Sequence, residues 1–131
     1  MASIKSLDDF QTWQKSKEVN KLVATAVNCP EFQNFLKLKN QIINSSMSVM
    51  ANLAEGFGRQ GNAEFIQFIS IAIASSVELR SHIQGACDFS LINKEKGDEI
   101  ISKSNEVEAM AFTLMKKIKS SSYRGWKYKS H

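Results

Sequence analysis

Four stretches of this 131-residue chain repeat their apolar side chains every three or four positions, and a single proline interrupts the whole run. That spacing returns a side chain to the same face of an α-helix at each turn, so every stretch carries a flank that another helix must cover. A chain of this length suits one domain with its own core. The pattern therefore predicts an all-α fold, an antiparallel up-down-up-down four-helix bundle over residues 1–119, followed by a tail over 120–131.

The expected helices span about 7–27, 31–56, 62–89 and 94–119. The first buries Phe10, Trp13, Val19, Val23, Ala26 and Val27; Ser6, with an acid three residues on, resembles a capping box at its start. Asn28-Cys29-Pro30 ends it, because proline disfavours a helical residue before it. The second is apolar on more than one side, through Phe32, Phe35, Leu36, Ile42, Met47, Val49, Met50 and Leu53. It needs neighbours on more than one side, which points to a bundle centre or an oligomer interface. Phe65, Ala72, Ser76, Leu79, Ile83 and Ala86 carry the third repeat, and Ile100, Ser104, Val107, Ala111, Leu114 and Ile118 the fourth, opened by Asn93 and Glu95. Gly56 stands where a helix end takes a left-handed residue, and Gly58 and Gly61 follow in the return loop.

Charge is unevenly placed. The net charge is +4, yet Lys116, Lys117, Lys119, Arg124, Lys127 and Lys129 occur after residue 115 with no acid among them. Removing those six from the 17 basic side chains leaves 11 against 13 acidic ones, so the basicity belongs to the C-terminal end. The first residues lack the apolar run of a secretory signal, and the most apolar stretch, Phe65 to Leu79, is broken by Gln67, Ser70, Ser75, Ser76 and Glu78. No membrane association is expected. Cys29 and Cys87 do not make a disulfide framework and are expected as reduced thiols in a cytoplasmic protein.

Beside the apolar stripe of the second helix runs a polar one, Gln41, Ser45, Ser48, Asn52 and Glu55, leading to Arg59 in the turn. An antiparallel return brings Ser75 and Glu78 alongside it. The stripe is either a ligand site or a buried polar seam that pairs two helices. The seam is the favoured reading, since buried amides and carboxylates need partners and these residues supply them. The turn Gly56-Phe57-Gly58-Arg59-Gln60-Gly61 lacks the preceding strand and the spacing of a phosphate-binding loop. Dinuclear carboxylate bundles use Glu-x-x-His pairs, and none occurs here, so neither metal nor other cofactor is expected. No serine or cysteine has an identifiable base and acid beside it, and a non-enzymatic protein is expected.

Trp13-Gln14-Lys15, Gln41, the corner from Ser48 through Asn52-Leu53-Ala54-Glu55-Gly56-Phe57-Gly58-Arg59, Glu64-Phe65, and Ala72, Ser75, Glu78 and Leu79 together resemble the bacterial four-helix-bundle proteins encoded in intervening sequences of 23S ribosomal RNA genes. The likeness spans about residues 7 to 118. It implies an up-down bundle that assembles into a homopentameric ring, related to accessory proteins of diversity-generating retroelements whose basic ring meets a reverse transcriptase and RNA. The resemblance also implies arginines after Gln41, where this chain has Ile43 and Asn44. Any nucleic-acid contact is thereby shifted to the C-terminal end.

There, Arg124, Lys127 and Lys129 alternate with Tyr123, Trp126 and Tyr128, combining phosphate-seeking charge with stacking faces. The same residues also suit a solubilising tail, or aromatics packed on the bundle or a neighbouring subunit. The expected function is a homo-oligomeric bundle binding RNA or a ribonucleoprotein, through Lys116, Lys117, Lys119, Arg124, Trp126, Lys127, Tyr128 and Lys129. The alternative is a protein-protein scaffold or accessory subunit, for example of a reverse transcriptase, with no direct nucleic-acid contact.

Overall fold

The computed structural model describes residues 6–59 and 61–120. Four α-helices, α1 (Gln11–Val27), α2 (Leu36–Gly58), α3 (Asn62–Asp88) and α4 (Lys94–Ser120), are accompanied by two 3-10 turns, Leu7–Asp9 and Pro30–Asn34. No strand occurs among the described residues. Each helix packs on the next and α1 closes on α4, so the neighbour order around the bundle is α1, α2, α3, α4.

Side-chain contacts give the direction of packing. Between α2 and α3, Ser48 meets Ser75 while Arg59 meets Glu64, so the residue number falls on one helix as it rises on the other. Lys15 with Glu106 and Glu18 with Lys103 run the same way between α1 and α4, as do Ser70 with Met115 and Ser76 with Glu108 between α3 and α4. These pairs are antiparallel, as short connections between helices require. The core is apolar, with Val23, Ile42, Leu53, Ile69, Leu79, Ile83, Ile100 and Ile118 all essentially inaccessible.

The helix ends depart from the sequence expectation in physically legible ways. The first α-helix begins at Gln11 rather than near residue 7, because Phe10 leaves helical geometry (φ −81°, ψ 96°) and buries its ring. That ring lies 5.9 Å from both Phe57 and Phe65. Ser6 makes no capping bond to the backbone; its hydroxyl meets the Asp9 carboxylate instead, and Gln14 Nε2 donates to the Asp8 carbonyl. Phe35 likewise interrupts the expected second helix after a 3-10 turn that buries Phe32. Its ring packs 5.3 Å from Phe89 of the α3–α4 connection.

Gly56 is not the left-handed cap that its position suggested. It is buried within α2, which continues to Gly58, and no described glycine has positive φ. A Cβ on Gly56 lies 2.9 Å from Phe68 Cβ and 3.0 Å from Phe65 Cδ1, so the glycine is there to let α3 approach. Gly97 plays the same part on α4, where a Cβ meets Cys87 Sγ. The left-handed residue is Ser90 (φ 60°). Leu91 N–H donates to Ala86 O and Ser90 N–H to Cys87 O, the paired bonds of a Schellman end to α3. Asn93 then caps α4, its Oδ1 accepting from Lys96 N–H at 2.8 Å.

Candidate functional site

The polar stripe of α2 divides along its length. In its middle the Ser48 and Ser75 hydroxyls are 2.8 Å apart across the α2–α3 groove, and Asn52 Nδ2 donates to Ser48 O (2.8 Å) and Ser48 Oγ (3.0 Å). These half-buried groups satisfy one another. Ser45 is buried but turns inward on its own helix, donating to Gln41 O and Ile42 O. Gln41, Glu55, Arg59 and Glu78 are exposed on the single chain. Glu55 does not reach Ser75 or Glu78. It pairs with Arg59 one turn on, at 2.9 Å, and Arg59 also reaches Glu64 at 3.4 Å while lying over the Phe68 ring. The buried seam read from the sequence thus narrows to Ser48, Asn52 and Ser75. Position 55 lies beside Gly56, where α3 comes close, but its side chain turns outward to Arg59 and water instead of into the groove.

The buried charge of the molecule lies elsewhere, between α3 and α4. Arg80 grips Glu108 with two bonds, Nε to Oε2 at 2.7 Å and Nη2 to Oε1 at 2.9 Å. Ser76 donates to the same Oε2 at 2.8 Å. Glu108 is buried, so this fork and the hydroxyl supply the hydrogen bonds that its desolvated carboxylate requires. The hydrogen bond to Glu108 raises the Arg80 pKa above its ordinary value, burial opposes this, and the carboxylate charge adds to the rise. With its pKa raised, Arg80 holds its charge, and its share of the pair's stabilisation, through neutral pH and gives it up in strong alkali.

Sequence reasoning missed this pair, because Glu108 sits inside an apolar repeat and Arg80 just outside one. It also passed over a level of the bundle to which each helix gives one buried serine: Ser16, Ser46, Ser76 and Ser104. The available signal was a serine at an apolar position of every repeat.

Of the basic residues expected to meet nucleic acid, Lys116, Lys117 and Lys119 are exposed on the last turns of α4. Arg124, Trp126, Lys127, Tyr128 and Lys129 lie outside the described residues. Among the described residues no three His, Cys, Asp or Glu side chains converge as metal ligands, and no helix is long and apolar enough to cross a membrane. Both cysteines are free thiols; burial first, then Asp98 and Asp88, pushes the Cys87 pKa up, with Lys94 opposing.

Large apolar side chains remain in the open. Leu36 and Met47 are about half exposed on the outer face of α2, and Val77 and Phe112 on α3 and α4. Met47 follows Ser46, which bonds Asn20 of α1, so it lies toward the α1 side. Val77 follows Ser76, and Phe112 stands one turn beyond Glu108, so both flank the α3–α4 groove. With the neighbour order given above, these two faces are on opposite sides of the bundle.

Comparison with known proteins agrees with the fold. A crystal structure of a protein of unknown function from the S23 ribosomal protein family of Bacteroides thetaiotaomicron VPI-5482 superposes with a TM-score of 0.72, at 23% identity, over 80% of this chain and 98% of that one. No curated protein gives a significant match. The profile of the family described as 23S rRNA-intervening sequence protein matches residues 8–113, most of the chain and all of the motifs singled out at the α2–α3 corner. The protein belongs to the 23S rRNA-intervening sequence protein family.

Proposed function

We propose that this protein is a non-enzymatic, homo-oligomeric bundle that acts as a binding platform for RNA or a ribonucleoprotein. The observation that carries the assembly is the pair of exposed apolar faces on opposite sides, Leu36 and Met47 on one and Val77 and Phe112 on the other. Half-exposed side chains of this size, paired on each of two sides, are suited to being covered by a second copy. Two different faces that cover each other join copies head to tail, which gives a ring where the rotation between copies closes, five copies being the number that the family resemblance implies. Light scattering should give several times 14.7 kDa, and Phe112→Asp or Met47→Asp should return the mass toward one chain. A clean monomer of the parent at micromolar concentration ends this reading.

Support for RNA comes from the C-terminal end, where Lys116, Lys117 and Lys119 project from α4 without an acid in the following sequence. A ring gathers these ends into one positive patch, which raises the local attraction for phosphates. Gel shifts with single-stranded RNA over a salt series test it. Deleting residues 120–131 removes three further charges, Arg124, Lys127 and Lys129, so the slope of log affinity against log salt should flatten by about two. Trp126→Ala should weaken binding by about 1–3 kcal/mol if a base stacks there. Absence of salt-sensitive binding by the intact protein favours the protein-only scaffold or accessory subunit.

A further inference from the structure

The serine level of the core is chemically unfinished. Ser16 donates to Trp13 O at 2.7 Å, Ser46 to Asn20 Oδ1 at 2.8 Å, and Ser76 to Glu108 Oε2 at 2.8 Å. Each of these three acceptors has no proton to give, so the three hydroxyl protons are committed outward. Their lone pairs remain for a donor. Ser104, only 1% exposed, has no hydrogen-bond partner for its Oγ among the described residues. A buried hydroxyl left so is costly and uncommon.

The four serines line one void, and the residue three places beyond each of them, Val19, Val49, Leu79 and Val107, supplies the rest of its wall. It offers about 10 Å³ to the centre of a water molecule. That is the lower bound for holding one water and far too small for any organic ligand or hydrated ion.

We propose that a single structural water occupies this void, accepting the Ser104 proton and donating to oxygens of the Ser16, Ser46 and Ser76 set. The accounting closes: one uncommitted donor meets a water oxygen, and two water protons meet hydroxyl lone pairs otherwise faced by carbon. The site then works as a register lock. Sliding any one helix by three residues puts an apolar side chain, such as Val19, Val49, Leu79 or Val107, where its serine stood and takes one hydroxyl from the water's set.

Oxygen-17 magnetic relaxation dispersion on the full chain counts long-lived internal waters, and the reading is the difference between parent and variant. Ser104→Ala should lose one long-lived water and lower the melting temperature by about 2–6 °C, because a hydrogen-bonded group has been removed. Ser104→Val, whose methyl groups fill the void, should lose the same water whatever its stability. Equal water counts in parent and both variants overturn the proposal. So does a high-resolution crystal structure in which Ser104 Oγ bonds the Ile100 carbonyl of its own helix and the void is dry; Ser104→Ala should then melt at or above the parent.

Discussion

The α2–α3 corner and the α3–α4 groove are built from the same materials, serines, carboxylates and one arginine each, and they use them oppositely. At the corner the arginine is shared between Glu55 and Glu64, each side chain is about half in water, and Ser48, Ser75 and Asn52 make half-buried contacts that are neutral. In the groove Arg80 and Glu108 form a fork with side-chain exposures of 25% and 11%. The difference teaches that a polar stripe on a helix does not reveal where buried charge lies. Solvent screening makes the first arrangement worth little, while removing one partner of the second leaves a charge in a desolvated site.

The largest expected effect follows from that contrast. Glu108→Ala should cost about 2–4 kcal/mol in denaturant unfolding, reduced from the fully buried case because Arg80 keeps some access to water. The double change Arg80→Leu with Glu108→Leu should recover most of the loss, and a double variant no better than the single one would show the pair to be more than a charge problem. Gly56→Ala comes next. Its added methyl gains helix propensity of about 1 kcal/mol but must push α3 away at Phe68 Cβ, for a net cost of about 1–3 kcal/mol. A thermal midpoint at or above the parent would mean that the corner yields more easily than its contacts indicate.

Within the corner, Ser75→Ala should cost about 0.5–1.5 kcal/mol, since it removes the bond across the groove and leaves Ser48 with Asn52 of its own helix. Glu55→Ala should change stability by less than about 0.5 kcal/mol, because an exposed pair one helical turn apart is screened. Equal losses for Glu55→Ala and Glu108→Ala would erase the distinction between the two regions. If the proposed assembly forms, any burial of Glu55 under a neighbouring copy is separated from this by repeating the measurement on the Phe112→Asp variant.

The four helices were legible in the sequence because three-four spacing persists through each of them and the connections are short. Their ends were less so. Phe10 and Phe35 fit the apolar rhythm of a continued helix, yet both sit outside one, since burying their rings against Phe57, Phe65 and Phe89 outweighs another helical turn. Ser90 in left-handed geometry gave no signal, as that position usually takes glycine; Ser90→Gly should stabilise α3 by up to about 1 kcal/mol. At the candidate site the structure brings Ser48 to Ser75 and Asn52 to Ser48, while Gln41, Glu55 and Glu78 of the expected stripe stand exposed. Periodicity reports which face a residue occupies, not whether its side chain turns into the groove or out to a partner on its own helix. Nor does it tell a serine in a dry stripe from one of four that meet at a single level.

The close approach that Gly56 permits also bears on the order in which the chain acquires its shape. The turn between α2 and α3 is a handful of residues, and this pair runs in close contact over more residues than any other two helices. Closing so short a loop loses little chain entropy, whereas joining α1 to α4 must constrain most of the chain. The α2–α3 hairpin is therefore the expected folding nucleus, with α1 settling onto α4 late. Gly56→Ala should slow refolding by nearly its full equilibrium effect, while Val19→Ala on α1 should act chiefly by hastening unfolding.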